Sequence, residues 1–144
     1  MSNKGGEVMG QAIKKNKVEY IDRVHGNSKG WITRSCIDEN GYSQWHYKYL
    51  ELKETDLTGE NIYITLNTFY KPCRRLECIK ELNFVYIDLD YYKTKYTKEQ
   101  VIMNLESNYF NKIIPATNYI IDSGRGLALL WNINKVPSQA LPLW

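Results

Sequence analysis

The sequence has little cysteine, little net charge and no long apolar run, and each shortage narrows the class of protein. Three of its 144 residues are cysteine, and Cys36, Cys73 and Cys78 are neither even in number nor spaced as a disulfide framework. We find no run of 18 apolar residues and no secretory signal pattern. These absences predict a protein of the reducing cytoplasm that does not act in a membrane.

The formal net charge is only +3, so the chain lacks a strongly basic body, and nucleic-acid binding is permitted without being required. Hydrophobic residues make up 43% of the chain, which is enough for one domain with a proper core. We predict that residues 18–144 form this domain. Residues 1–17 contain four lysines and three glycines with little periodicity, and they are predicted to be a flexible basic leader.

The first half of the chain is rich in short strand-forming runs. Residues 31–37, 42–52 and 61–66 are predicted strands, because β-branched and aromatic residues recur there between turn signals at 39–41 and 58–60. A basic loop follows, with four basic residues and one acid between positions 71 and 80. Its cations Lys71, Arg74 and Arg75 are candidate contacts to nucleic-acid phosphates.

Residues 84–90, with the sequence Phe-Val-Tyr-Ile-Asp-Leu-Asp, carry the first chemical signal. Their apolar run predicts a buried strand, and alternation along a strand places Asp88 and Asp90 on one face. Two carboxylates this close repel each other unless a cation lies between them, and Mg²⁺ commonly takes one or two carboxylates together with substrate phosphates. The alternative is that both acids end the strand and face water.

The segment after the acidic strand predicts a helix, a strand, a turn and another strand. Thr97 and Gln100 have the spacing of a capping box, and apolar residues at helical spacing predict a helix over 98–108. Residues 118–122 and 127–133 are predicted strands that flank the turn 123–126. This order is three quarters of an RRM-like split β-α-β unit. The predicted fold class is α+β, with a strand-rich N-terminal part joined to this incomplete unit.

The turn Ser123-Gly124-Arg125-Gly126 carries the second chemical signal. Two glycines free the backbone to present N–H groups closely to an anion. Ser123 can donate its hydroxyl, and Arg125 offers a planar fork for phosphate. The alternative is an ordinary hairpin whose glycines supply positive dihedral angles.

The Asp-x-Asp strand followed about thirty residues later by Ser-Gly-x-Gly resembles the archaeo-eukaryotic primase superfamily. More narrowly, residues 62–131 resemble primase-polymerase-like replication proteins of bacterial plasmids and other mobile elements. The resemblance implies that Asp88 and Asp90 bind catalytic Mg²⁺ or Mn²⁺. It also implies that Ser123, Gly124, Arg125 and Gly126 lie along the phosphates of an incoming nucleoside triphosphate. The implied function is two-metal nucleotidyl transfer on a nucleic-acid template and primer.

Two features depart from the family pattern. The family's second motif commonly has His at the position of Ala128, which can donate no hydrogen bond. The family's third metal-binding Asp would fall beyond Trp144, and residues 138–141 resemble the first turn of a further helix. We therefore expect a fragment of a longer protein that polymerises weakly or not at all by itself.

Other interpretations remain open. The chain is alternatively a non-catalytic nucleic-acid-binding module with an RRM-like sheet, or a truncated coding sequence without stable function. Cys73 and Cys78 with a histidine suggest zinc, but the four-residue spacing and the missing second pair disfavour it. Cys36 is more typical of a small buried residue than of a nucleophile. The group Trp31, Trp45, Tyr47 and Tyr49 either stacks on bases or, as we favour, forms a packing face.

Overall fold

The computed structural model describes residues 17–143, so the predicted leader, apart from Lys17, lies outside the described residues, as does Trp144. The described chain divides into two compact units. One consists of residues 85–132, and the other of residues 17–84 together with 133–143. None of the helices within residues 17–143 is long and apolar enough to span a membrane.

The larger unit contains an antiparallel three-stranded sheet and two short helices. Strand β1 lies in the middle of the sheet, with β2 on one side and β3 on the other. A short strand, β4, pairs with Ile79 and Glu81 at the start of the long strand β5. The elements are α1 (Lys17–His25), β1 (Ile32–Asp38), β2 (Gly41–Tyr47), α2 (Tyr49–Glu54), β3 (Ile62–Ile64), β4 (Thr68–Phe69) and β5 (Ile79–Leu89).

The strand predicted for residues 42–52 is wrong in its second half, because the chain turns into α2 at Tyr49. The Lys48 N–H donates to Glu51 Oε2 at 2.7 Å, which satisfies a backbone donor at the helix start. Residues 50–54 are mostly good helix formers, and Leu52 is fully buried. The burial of one leucine from a helical turn therefore overrides the alternating pattern of the preceding strand.

The smaller unit is built on strands in the order β5-β7-β6, so the strand that follows the glycine turn lies beside the acidic strand. Thr97 caps α3 with the predicted capping box, and a π-helical turn, Leu105–Tyr109, continues the helix. The helix and strand predictions for this region are confirmed, and so is the α+β class. The elements here are α3 (Lys98–Asn104), β6 (Tyr119–Asp122) and β7 (Leu127–Pro137).

The core of this unit lies on one face of its sheet. Leu105 and Phe110 pack with Leu129 of β7, and Leu89, Val101, Ile120 and Trp131 surround them. Because side chains alternate along a strand, Leu89 and Leu129 share the face covered by α3. Tyr86, Asp88 and Ala128 consequently lie on the opposite face of the sheet.

Residues 84–87 form the predicted strand as part of β5, but the prediction that this strand is buried is wrong beyond Phe84. Phe84 is buried, but Val85, Tyr86 and Ile87 are 39%, 62% and 43% exposed. Tyr86 lies on the face opposite α3, whereas Ile87 and Leu89 line an open groove of about 650 Å³ beside that helix. Within the described residues, α3 covers only part of one face, so an apolar strand keeps much of its surface exposed.

Candidate functional site

Asp88 lies on the open face of the sheet, near the end of β5, and is exposed. Among the described residues its carboxylate makes neither a hydrogen bond nor an ion pair. A carboxylate held by a strand and left unpaired is available for an external cation. The local geometry of Asp88 is therefore compatible with the prediction that it binds a divalent metal ion.

Asp90 comes one residue after the end of β5 and begins a 3-10 turn, Tyr91–Lys93. Its backbone has φ −81° and ψ 69°, so it has left the extended conformation on which strict alternation depends. Its Oδ2 lies 3.6 Å from Lys93 Nζ, and both side chains are more than half exposed. Such an exposed pair contributes little free energy and can be displaced by a metal ion.

Gly126 brings the glycine turn against the acidic strand. A Cβ at this position would lie 2.5 Å from the Leu89 carbonyl oxygen and 3.6 Å from Asp90 Oδ1. Only glycine allows the two backbones to approach this closely. The two motifs that the sequence separates by more than thirty residues therefore meet at one place in this unit.

The turn is stabilised by its own side chains. The Ser123 hydroxyl donates to the Gly126 carbonyl oxygen at 3.1 Å and accepts from the Gly126 N–H at 3.1 Å. The Gly124 N–H donates to Asp122 Oδ1 at 2.8 Å, and Gly124 has φ +85°. Ser123 and Gly124 thus shape the turn, and a phosphate contact by the Ser123 hydroxyl stays a prediction.

Arg125 is exposed at the tip of the turn. In the part of the chain that the structure describes, its guanidinium has neither a hydrogen-bond partner nor an ion pair. All five of its N–H donors are consequently free for an anion. Of the four predicted residues of the turn, Arg125 is the one whose side chain is open for binding.

An ion pair between α3 and the residue just before the glycine turn was not predicted from the sequence. Lys98 Nζ, at the start of α3, donates to Asp122 Oδ2 at 2.7 Å, and both side chains are about 28% exposed. Desolvation opposes ionisation of Asp122, but hydrogen bonds from Lys98 and the Gly124 N–H outweigh it and lower its pKa. The sequence did show that Lys98 follows the capping residue Thr97, and so lies at the start of the helix.

Asp122 does not complete the carboxylate pair. It pairs with Leu127 across β6 and β7, two residues along each strand from the Ile120–Leu129 pair. Residues two apart on a strand share a face, and Ile120 and Leu129 lie on the face that α3 covers. Asp122 therefore faces α3, whereas Asp88 faces away from it. Within the described residues there is no cluster of three or more His, Cys, Asp or Glu side chains arranged for a metal ion.

Replacing Lys98 with methionine should raise the pKa of Asp122, because it removes the hydrogen bond and the charge that favour the carboxylate. The carboxyl carbon of Asp122, followed by NMR as pH falls, should titrate at a higher pH in Lys98→Met than in the parent protein. Lys93→Met is the matched control, since Lys93 lies beside Asp90 instead. An unchanged titration of Asp122 in Lys98→Met would contradict this account.

The basic loop belongs to the larger unit, together with β1, β2 and β3. Arg74 Nη1 donates to the Tyr42 hydroxyl at 3.1 Å, and Arg75 lies 3.9 Å from Glu77. Lys71, Arg74 and Arg75 are not buried. Arg74 thus connects the basic loop to β2. The two residues are 32 positions apart in the chain, and the sequence did not predict this contact.

The cysteines and histidines have separate environments. Hydrogen bonding to Cys73, followed by burial, raises the pKa of the Cys78 thiol, which disfavours the thiolate that zinc binds. His25 Nδ1 lies 3.3 Å from the Asn83 amide nitrogen, and His46 Nδ1 lies 2.9 Å from Thr33 Oγ1. The described residues give no support to a zinc site.

The aromatic group splits by environment. Lys48 Nζ lies 4.3 Å from the centre of the Trp31 ring, and Arg34 lies 5.0 Å from that of Trp45. The Tyr49 hydroxyl hydrogen-bonds to Asp22. These three rings contact polar or charged side chains of the same unit, and Trp45 stays 45% exposed, so the packing face stays a prediction.

Comparison with known proteins gives one informative match. Over 136 residues the chain is 71% identical to a replication protein from Clostridium perfringens, and the match covers 94% of this chain. It covers 34% of that relative, so the chain spans about a third of the relative's length. No family model and no solved structure matches the chain.

Proposed function

We propose that this chain is the nucleotidyl-transfer portion of a replication protein of the primase-polymerase type, carried by a plasmid or another mobile element. The name of the 71% identical relative supports a role in replication. The observation that carries the finer proposal is the approach of Gly126 to Leu89 and Asp90. It brings two exposed carboxylates, of which Asp90 lies beside Lys93, and a glycine turn with an open arginine close together in one sheet.

Asp88 and Asp90 would hold a divalent cation, Mg²⁺ or Mn²⁺. Both carboxylates fit this role, because Asp88 has no partner among the described residues and Asp90 has only an exposed lysine. When bound, such ions neutralise phosphate charge and activate a primer hydroxyl for attack. The protein's own contribution is to hold the two carboxylates at the exposed end of β5, which is hydrogen-bonded to β7.

Arg125 would bind a phosphate of the incoming nucleoside triphosphate through its planar fork. The Ser123 hydroxyl and the Asp122 carboxylate keep the turn in shape, so Arg125 is presented from a defined backbone. Ala128 lies on the same sheet face as Asp88 and offers the nucleotide only apolar contact. Nucleotide selection therefore depends on Arg125 and on backbone groups more than on a side chain at position 128.

Catalysis by residues 1–144 alone should be weak. Two carboxylates serve the site, and Asp122 lies on the other face of the sheet, where it binds Lys98. A further carboxylate would have to come from a segment other than residues 17–143, among which no cluster of three or more such groups is arranged for a metal ion. The proposal therefore assigns nucleotide binding to this chain and full nucleotidyl transfer to a longer replication protein.

Titration of a deoxynucleoside triphosphate in Mn²⁺ tests the site directly. We expect metal-dependent binding by the parent chain and affinity reduced at least about tenfold, or about 1.4 kcal/mol, in Asp88→Asn and in Asp90→Asn. Asp38→Asn, which removes an exposed carboxylate in the larger unit, should bind as the parent does. Isothermal calorimetry with Mn²⁺ and then with EDTA measures all four proteins.

Absence of metal-dependent nucleotide binding, with nucleic-acid affinity unchanged in both variants, would contradict the proposal. That result would favour the second candidate, a non-catalytic nucleic-acid-binding module. The specific observation behind this candidate is the contact of the basic-loop residue Arg74 with an exposed tyrosine on β2. A chain that unfolds without cooperativity would instead favour a truncated sequence without stable function.

A further inference from the structure

One face of the β2-β1-β3 sheet carries tyrosines that the candidate site does not use. Tyr42 lies opposite Ile37, and Tyr63 lies opposite Ser35, so each pair projects to the same side of the sheet. Ile37 and Ser35 are two residues apart on β1 and share a face. Gln44, the second partner of Ser35, lies there too. We call this surface, formed by Ser35, Ile37, Tyr42, Gln44 and Tyr63, the tyrosine face.

The tyrosine face is exposed at Tyr42, Tyr63 and Ile37, whereas the small Ser35 side chain is buried. Tyr42 and Tyr63 are each 53% exposed, and Ile37 between them is 50% exposed. A single exposed apolar residue needs no explanation, but three on adjacent strands of one face form a patch of the kind that marks a binding surface. Tyr42 and Tyr63 lie on the two outer strands of this sheet, and their partners on β1 are two residues apart. Strand spacing and rise per residue therefore put their Cα atoms about 12 Å apart. The rings are thus separate platforms on one surface.

A cation is fixed at the edge of the tyrosine face. Arg74 Nη1 donates to the Tyr42 hydroxyl, which in turn donates to Gln44 Oε1 at 3.1 Å. This contact uses one of the five guanidinium donors and leaves the others for a second partner. Asp38 projects from the opposite side of β1, because it lies one residue from Ile37. Of these two charged groups, Arg74 lies against the tyrosine face and Asp38 does not.

We propose that the tyrosine face binds a single nucleic-acid strand, with bases stacking on Tyr42 and Tyr63 and a phosphate held by Arg74. Surfaces that bind single strands without sequence preference combine stacking aromatic rings with cations that follow the backbone. Arg74 sets a positive charge with free N–H donors beside the Tyr42 ring. This combination complements the phosphates and bases of a nucleic-acid strand. The proposal goes beyond nucleotide transfer, because binding here needs neither Asp88 nor a divalent cation.

Fluorescence anisotropy of labelled oligo-dT and oligo-rU in EDTA tests this binding. We expect the double variant Tyr42→Ala/Tyr63→Ala to bind at least about tenfold more weakly than the parent, since each base–aromatic stack contributes substantially to affinity. Tyr42→Phe keeps the ring but removes the hydroxyl that accepts from Arg74, so its loss of affinity should be smaller than that of the double variant. Tyr96→Ala, a tyrosine 55% exposed in the smaller unit, is the matched control and should bind as the parent does. The DNA and RNA probes identify which strand is preferred.

The role of Arg74 has its own readout. Arg74→Gln should lower the slope of log affinity against log salt concentration by about 0.7, the value expected for one lost phosphate contact on a single strand. This measurement needs only a conservative change at an exposed residue, so it remains decisive if the double tyrosine variant is unstable.

Three results would overturn the proposal. They are equal affinity of the parent and the double tyrosine variant, no binding of either probe by the parent, and a dimer of the parent that the double variant loses in sedimentation. The last would assign the tyrosine face to a second copy of this chain. Asp88→Asn should bind the strand normally in EDTA, so failure of the nucleotide site and failure of the tyrosine face give different patterns.

Discussion

Replacing Gly126 with alanine is expected to lower the free energy of unfolding by about 2–3 kcal/mol, the cost typical of overpacking a tight contact. The new Cβ would lie 2.5 Å from the Leu89 carbonyl oxygen, and a backbone atom cannot move aside as a flexible side chain can. Relief of this overlap must separate the turn from β5. Urea unfolding at neutral pH measures the loss of stability.

Gly124 is the matched control, two residues earlier in the same turn. Its φ of +85° disfavours alanine, but a Cβ there would have no heavy atom outside its chain neighbours within 4 Å. Gly124→Ala should therefore cost about 1 kcal/mol, from backbone strain alone. Equal losses in the two variants would mean that the approach of Gly126 to Leu89 does not stabilise the fold.

The same pair of variants separates stability from binding. Movement of the turn away from Asp90 should weaken Mn²⁺-dependent nucleotide binding in Gly126→Ala, at temperatures where the variant remains folded. Gly124→Ala leaves the contact between the turn and β5 intact and should retain more of the affinity. The opposite order of affinities would argue against a common site for the two motifs.

Acid should destabilise the protein well above the pH at which its carboxylates titrate, because of His25. This side chain is fully buried, and burial lowers its pKa from 6.5 to about 4. The Thr65 backbone raises the pKa of His25, although Nε2 makes no hydrogen bond of normal geometry among the described residues. The positive charge of Lys135 lowers that pKa. The net effect is a histidine that stays neutral in the folded state.

The direction of the pH dependence follows from the lowered pKa. The unfolded chain takes up a proton near pH 6.5, whereas the folded protein does so only near pH 4. Stability is therefore complete above pH 6.5 and falls as pH decreases from 6.5 to 4. The total loss is about 3 kcal/mol, from about 1.36 kcal/mol for each pH unit of the shift. Urea unfolding at pH 7.5 and pH 4.5 should reveal most of it.

His25→Gln should remove this pH window, while His46→Gln should keep it because His25 is still present. Titration of the His25 ring by NMR in the parent protein checks the same point without a variant, in case the substitution at a buried site prevents folding. A ring that titrates near pH 6.5 in the folded protein would contradict the explanation. So would a pH dependence that persists unchanged in His25→Gln.

The sequence was sufficient to predict those elements of structure that depend on residues close together in the chain. The capping box at Thr97, the turn at residues 123–126 and the strands beside it form as predicted, because capping and turn formation depend on neighbouring residues. The α+β class follows from the order of these elements. Asp88 and Arg125 were named as candidate site residues from their motifs, and their binding roles stay predictions.

Patterns that depend on distant residues were less informative. The apolar run at 84–87 predicts burial, yet burial depends on what covers the strand, and α3 covers only one face in part. Residues 48–52 continue an alternating pattern, but α2 forms there because Leu52 enters the core. The contact of Arg74 in the basic loop with Tyr42 of β2 joins residues 32 positions apart, and no local pattern indicated it.

By itself the sequence determined where two acids follow an apolar strand, where an arginine stands in a glycine turn, and in what order the elements between them come. Only the tertiary structure decided which of these groups meet. Gly126 reaches Leu89 because β7 pairs with β5, and Asp122 is turned to Lys98 because it lies on the face that α3 covers. The physical reason is that residue types and their spacing specify local conformation, whereas strand pairing and the choice of face depend on contacts between residues far apart in the chain.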